Sequence, residues 1–192
     1  SYVAILPWSF FSAAVSSAIV SIVSNATIVS RVYFPREIFP VVSIISAFVD
    51  FLIGSVGFCI IAIFYGISLP STVVFALPVF FVQIILMLGL GIFLSAINVF
   101  YRDIQYVIPY FLQLLMIASP IVYPVSLVPE KFKTIYMLNP IAVIIESYRA
   151  IILKATTPDF NYLLISFAIS TLILVLSYFY FKKVEKYFAD VI

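Results

Sequence analysis

Apolar residues run along this chain in continuous stretches, not in period-two alternation, and short clusters of Pro, Arg, Tyr and Asp punctuate them. A helix crosses the hydrocarbon core of a membrane in about 20 residues, whereas a membrane-spanning strand alternates apolar and polar side chains. The runs therefore predict helices, over roughly 9–29, 40–65, 72–99, 104–124 and 160–181. The first run is serine-rich (WSFFSAAVSSAIVSIVS), and Gly89, Gly91, Ser95 and Ala96 crowd the end of the third. Small side chains of both kinds suit close packing between helices in a membrane.

Residues 135–153 (IYMLNPIAVIIESYRAIIL) are apolar enough to enter a membrane, but Pro140, Glu146 and Arg149 interrupt them. Asn139-Pro140 reads as a helix start, with Asn as the N-cap and Pro at the first helical position. Charge bias decides whether the segment crosses. With five spans, Arg31, Arg36, Arg102, Lys182, Lys183 and Lys186 share one side, against Lys131, Lys133, Arg149 and Lys154 on the other. A sixth crossing would reverse the bias weakly. The expectation is an all-α membrane protein with five transmembrane helices, and 120–158 as an extracytoplasmic re-entrant or interfacial hairpin before the last span. The larger positive share then places the C-terminus, Arg31–Pro40 and Tyr101–Asp103 in the cytoplasm.

Composition sharpens the class. Of 192 residues, 65% are hydrophobic, 18% aromatic and only 9% charged, too little polar surface for a soluble domain. A net charge of +2 gives no footprint for nucleic acid. The absence of histidine removes the commonest general base and metal ligand, and the lone Cys59 cannot form an internal disulfide. Ser1 is not an initiator methionine and no basic stretch precedes the first run, so no signal peptide is read, and the natural N-terminus is expected upstream.

No catalytic set assembles. The acidic residues stand singly at 37, 50, 103, 130, 146, 159, 185 and 190, there is no phosphate-cradling GxxxxGK[ST], and no metal cluster is present in the sequence. If ATP drives this protein, another chain binds it. Asp50 is the one charge deep in an apolar run, about 15–18 Å from the cytoplasmic end of its helix. It is either part of a translocation path or proton relay, or a carboxyl hydrogen-bonded between helices. Glu146 and Arg149, spaced i,i+3, can pair and let a hairpin sit at the interface. Tyr101, Arg102 and Asp103 mark a cytoplasmic turn, with Arg102 at one helix C-terminus and Asp103 at the next N-terminus. The tail FKKVEKYFADVI puts Phe181, Val184, Phe188 and Val191 on one stripe, an amphipathic extension suited to the inner leaflet or to a cytoplasmic partner.

RVYFPREIFP, residues 31–40, is an odd connection: Tyr33, Phe34 and Phe39 accompany Arg31, Arg36, Glu37 and two prolines. Pro35 fits a first helical turn and Glu37 suits its positive end. Aromatics at headgroup level account for Tyr33 and Phe39, but not for Arg36-Glu37 framed by prolines. Aromatic and Arg side chains are the types that anchor protein interfaces.

Together VYFPREIFPV, SAFVDFLIG, NVFYRDIQYVIPYFLQLL, SPIVYPVSLVPEKF and LNPIAVIIESYRAIIL, in that order, resemble the permease subunit of type-2 ABC exporters of polysaccharide and O-antigen, relatives of the teichoic-acid exporters. The resemblance implies a bacterial cytoplasmic (inner) membrane protein that moves a lipid-linked glycan. It implies a permease homodimer with two copies of a separate ATPase, ATP and Mg on that partner, and no cofactor on this chain. A coupling helix after the family's second span docks on the ATPase, a role that falls here on Tyr33, Phe34, Pro35, Arg36, Glu37 and Phe39. The family's six spans exceed the five read here, so an N-terminal amphipathic helix and first span are expected to be missing. Its short extracytoplasmic re-entrant helices match 120–158, although Ala150 replaces the usual aromatic after Arg149. Two rival classes are a secondary transporter or channel built on Asp50, and a membrane-embedded transferase.

Overall fold

The computed structural model describes residues 2–31, 34–65, 70–119, 121 and 136–188, and among them every regular element is helical. The chain order is α1 (Tyr2–Val20), α2 (Ala26–Arg31), α3 (Ile38–Phe64), α4 (Ala76–Phe100), α5 (Ile104–Ala118), α6 (Pro140–Leu153) and α7 (Phe160–Val184). Short 3-10 turns precede α2 and α4 and follow α7. Among the described residues, four helices are long and apolar enough to cross a membrane: Tyr2–Val20, Ile38–Phe64, Ser71–Phe100 and Phe160–Tyr187. The fourth expected span is shorter than its apolar run. At 15 residues α5 rises about 22 Å against a hydrocarbon core of about 30 Å. It stops because Ser119, which precedes Pro120, takes the extended conformation that proline imposes on its predecessor.

The first helix starts seven residues before its expected position and ends nine before. Pro7 lies inside α1, and the helix continues through it. At the other end Ser21 Oγ donates to the Ala18 carbonyl and Asn25 Nδ2 to that of Ser21. These side chains take over carbonyls released at the helix end, and the backbone tightens into a 3-10 turn.

α1 is the central helix. Trp8, Phe10, Phe11, Ala14, Val15, Ala18 and Ile19 are buried against α3, α4, α5 and α6. Phe10 stands at the middle of a ring cluster with Phe48, Phe51 and Phe80, with centroids 4.8–6.1 Å from its own. Two polar ties join α1 to α4: buried Gln83 Nε2 donates to the Pro7 carbonyl (2.8 Å) and buried Asn98 Nδ2 to that of Ile19 (3.1 Å). The serines of α1 do not form its packing face. Ser9 and Ser17 are exposed and Ser12 and Ser16 half-buried, while alanines and aromatics fill the contacts. The small residues of α4 do pack as expected: Gly89, Gly91, Ser95 and Ala96 are all buried.

α4 lies lengthwise on α7, the most extensive helix pair. A second apolar cluster closes the end of the bundle where α3 and α5 begin, uniting Ile22, Val29, Ile92, Ala96, Val99, Phe181 and Phe188, with Phe39 and Phe100 against it. α6 is packed among α1, α4 and α7 toward the opposite end, with Ile141–Ile145, Ser147–Arg149 and Ile151 buried.

Candidate functional site

Phe34 to Phe39 form a compact turn leading into α3. Ile38 N–H donates to the Pro35 carbonyl and Phe39 N–H to that of Arg36, both at 3.3 Å. Phe39 packs against the end cluster, and the half-buried Phe34 meets it edge-on, with ring centroids 5.2 Å apart. Pro35 and Ile38 point outward as an exposed apolar ridge. Tyr33 lies outside the described residues.

The two charges of this turn are engaged within the chain. Arg36 Nη1 donates to the Glu185 carbonyl at the end of α7, and its guanidinium lies over the Phe188 ring, 5.9 Å from the centroid. Glu37 pairs with Lys182 at 2.9 Å, and Lys182 reaches Glu185 at 3.2 Å. Sequence reasoning missed Lys182, Glu185 and Phe188 as partners of the turn. They lie about 145 residues away, and no local pattern links them. The apolar stripe of the tail is likewise spent inside the molecule: Phe181 and Phe188 are fully buried in the end cluster. Val191 lies outside the described residues.

Tyr101, Arg102 and Asp103 form the exposed turn between α4 and α5. The Ile104 N–H donates to the Tyr101 carbonyl at 3.1 Å, and the Asp103 side chain makes no cap to the start of α5. Asp50 sits midway along α3 on its exposed flank, beside Val49 and Ile53, and is not between the packed helices.

At the other end, α6 starts as its sequence predicts: Asn139 Oδ1 accepts the Ile141 N–H at 3.2 Å and Pro140 is the first helical residue. Glu146 and Arg149 do meet, at 3.7 Å, both largely buried. Their closer partners are elsewhere. Arg149 Nη2 donates to the Ile121 carbonyl at 2.5 Å, and Glu146 binds Lys154 at 2.8 Å. Asn139 Nδ2 also donates to Ser119 Oγ at 3.3 Å, so α6 is tied to the end of α5 at two points. Residues 122–135, the rest of the expected hairpin, lie outside the described residues. Among the described residues no group of His, Cys, Asp or Glu could hold a metal.

The described residues thus combine helices long enough for a membrane with a charged turn at one end of the bundle. A family model described as ABC-2 type transporter matches residues 2–153. An O-antigen export system permease protein RfbA of Klebsiella pneumoniae is 26% identical over 189 residues, covering 98% of this chain and 73% of that protein. Another of Myxococcus xanthus is 28% identical over 192 residues, covering 98% and 74%. Because the family match spans most of the sequence and includes both the 34–39 turn and α6, the chain belongs to the ABC-2 type transporter family.

Proposed function

We propose that this chain is the membrane-spanning subunit of an ATP-driven exporter that carries a lipid-linked, O-antigen-like polysaccharide across a bacterial cytoplasmic membrane. The observation that carries the reading is likeness to O-antigen export permeases over 98% of the chain. The transport cycle needs a source of work that this chain does not contain, and a separate ATPase, two copies to a permease dimer, supplies it. The topology is five spans, with α5 in the fourth and α6 within a re-entrant hairpin. The deep burial of α6 supports a helix that enters the bundle over one that lies flat on its surface. The outward serine stripe of α1 supports contact with a second copy of the chain, since small side chains let membrane helices approach.

The 34–39 turn is the coupling element. Arg36 and Glu37 already have partners, so docking falls to the exposed ridge of Pro35 and Ile38 and to the half-buried Phe34 beside it. Truncating a central anchor of an interface commonly costs about 2 kcal/mol or more, roughly 30-fold in binding. Phe34→Ala and Ile38→Asp are therefore expected to leave the permease inserted and to lower co-purification of the ATPase and glycan-stimulated ATP hydrolysis by tenfold or more, on the order of that loss. Wild-type values for both variants would leave these side chains as headgroup anchors and remove the coupling role.

A further inference from the structure

Beyond its continuation into α3, the 34–39 turn is held to the body of the protein by Phe39 and by the end of α7. Its backbone hydrogen bonds, from Ile38 N–H to Pro35, Phe39 N–H to Arg36 and Val41 N–H to Glu37, are all 3.3 Å long and run along the chain into α3. Phe39 seats one side of it in the end cluster. Among the described residues, its long-range polar ties run to the last turn of α7 and the residues just after it: Arg36 to the Glu185 carbonyl and the Phe188 ring, Glu37 to Lys182, and Lys182 back to Glu185. Lys182 is the shared member, a single ammonium between two carboxylates. The carbonyl taken by Arg36 belongs to the 3-10 turn after α7, where it also accepts the Phe188 N–H, and carbonyls at a helix C-terminus carry partial negative charge. Arg36, Glu37, Lys182 and Glu185 together sum to zero charge, so the set is complete without a partner protein.

We propose that Lys182 is a positioning residue for the coupling turn: with Glu185 and Phe188 it forms a latch by which the end of α7 sets the orientation in which Phe34, Pro35 and Ile38 meet the ATPase. A turn held in its docking orientation loses less freedom on binding, which strengthens association without any contact from the latch itself. The latch also defines what the turn moves with. Near its start α7 touches α6, where Ser166 Oγ donates to the Pro140 carbonyl at 3.3 Å, and along its length it rests on α4. At its end it grips the turn. A shift of α7 along its axis is thus passed to the docking ridge, and a shift of the ridge is passed back toward α6.

The inference rests on the coupling role of the turn, and one set of variants separates the two ideas. The complete permease–ATPase complex is prepared in lipid nanodiscs with Lys182→Glu, Glu37→Lys, the two changes combined, Lys182→Arg, or Ile38→Asp. ATPase affinity and stimulated ATP hydrolysis are then measured at equal amounts of monodisperse permease. Partly exposed ion pairs contribute modestly and reversal adds repulsion, so Lys182→Glu and Glu37→Lys should each weaken ATPase binding by about five- to tenfold. Lys182→Arg keeps the charge and should stay within about twofold of wild type. The combined exchange restores opposite charges between positions 37 and 182, although the carboxylate at 182 then stands beside Glu185, and should bind better than either single reversal, which a simple packing defect would not do. If Lys182→Glu lowers the yield of monodisperse permease, Lys182→Met removes the charge without repulsion and carries the same comparison. Wild-type binding by Lys182→Glu while Ile38→Asp is defective overturns the latch and leaves the docking turn standing. A combined exchange as weak as Glu37→Lys alone also overturns it, because Glu37 would then act on the ATPase directly. Wild-type binding by Ile38→Asp removes the docking turn, and the latch with it.

Discussion

Ala155 has a φ of 51°, the left-handed conformation that closes α6 and that residues with a Cβ adopt at a cost. The Thr156 N–H then donates back to the Ala150 carbonyl at 3.0 Å, and Lys154 folds over to reach Glu146. Ala155→Gly removes the steric penalty and should stabilise the protein by about 1 kcal/mol, read as a higher thermal midpoint in detergent. A lower midpoint would show that the methyl group packs. Arg149 is a harder case, because its guanidinium serves both the Ile121 carbonyl and Glu146 in a buried setting. Arg149→Met should cost about 2–3 kcal/mol, since it strands an acceptor and leaves Glu146 with Lys154 alone. The i,i+3 spacing made the Glu146–Arg149 pair legible in the sequence. Ile121 was not legible as a partner, because it arrives from 28 residues away.

Between elements, the pairing of α4 with α7 depends on Gly89. A Cβ placed there would lie 2.9 Å from the Leu174 backbone nitrogen and 3.1 Å from its Cα, atoms that cannot swing aside. Gly89→Ala must push the two helices apart, at about 1–3 kcal/mol. At Gly57 nothing lies within 4 Å of such a Cβ, and the better helix former should be neutral or stabilising by up to about 1 kcal/mol. Thermal midpoints of the two variants measured side by side decide the matter, and equal loss in both would refute close packing as the reason for Gly89. That α4 carries small residues is plain in the sequence. Which glycine meets a backbone, and that the serines of α1 turn outward instead, depends on how the helices are rotated about their axes.

For the molecule as a whole, the described helices place the 34–39 turn, Tyr101–Asp103 and the end of α7 at one end, and α6 and the start of α1 at the other. By the positive-inside rule the first of these is the end expected on the cytoplasmic side. In a Cys59→Ser background, Lys183→Cys should react with an impermeant maleimide only from the cytoplasmic face and Lys131→Cys only from the opposite face. Labelling of both from one side would sink the five-span topology.

By itself the sequence determined the all-helical membrane class of the molecule, the positions of its long apolar runs and the Asn139-Pro140 start of α6, while the fourth run, read as a span over 104–124, ends in the structure at Ala118. These are local matters, settled by the length of an apolar run and by the backbone chemistry of a few adjacent residues. It also carried the ordered motifs that assign the family. Tertiary structure decided what each apolar surface faces, because lipid and protein satisfy an apolar side chain alike and hydropathy cannot separate them. Hence α6 is buried where an interfacial position was equally open, and the tail's Phe181 and Phe188 close the bundle's own end instead of dipping into the leaflet. It decided charge partners for the same reason of distance: Arg36 and Glu37 find theirs at the far end of the chain, and only the folding of α7 alongside α4 brings Lys182 and Glu185 to them.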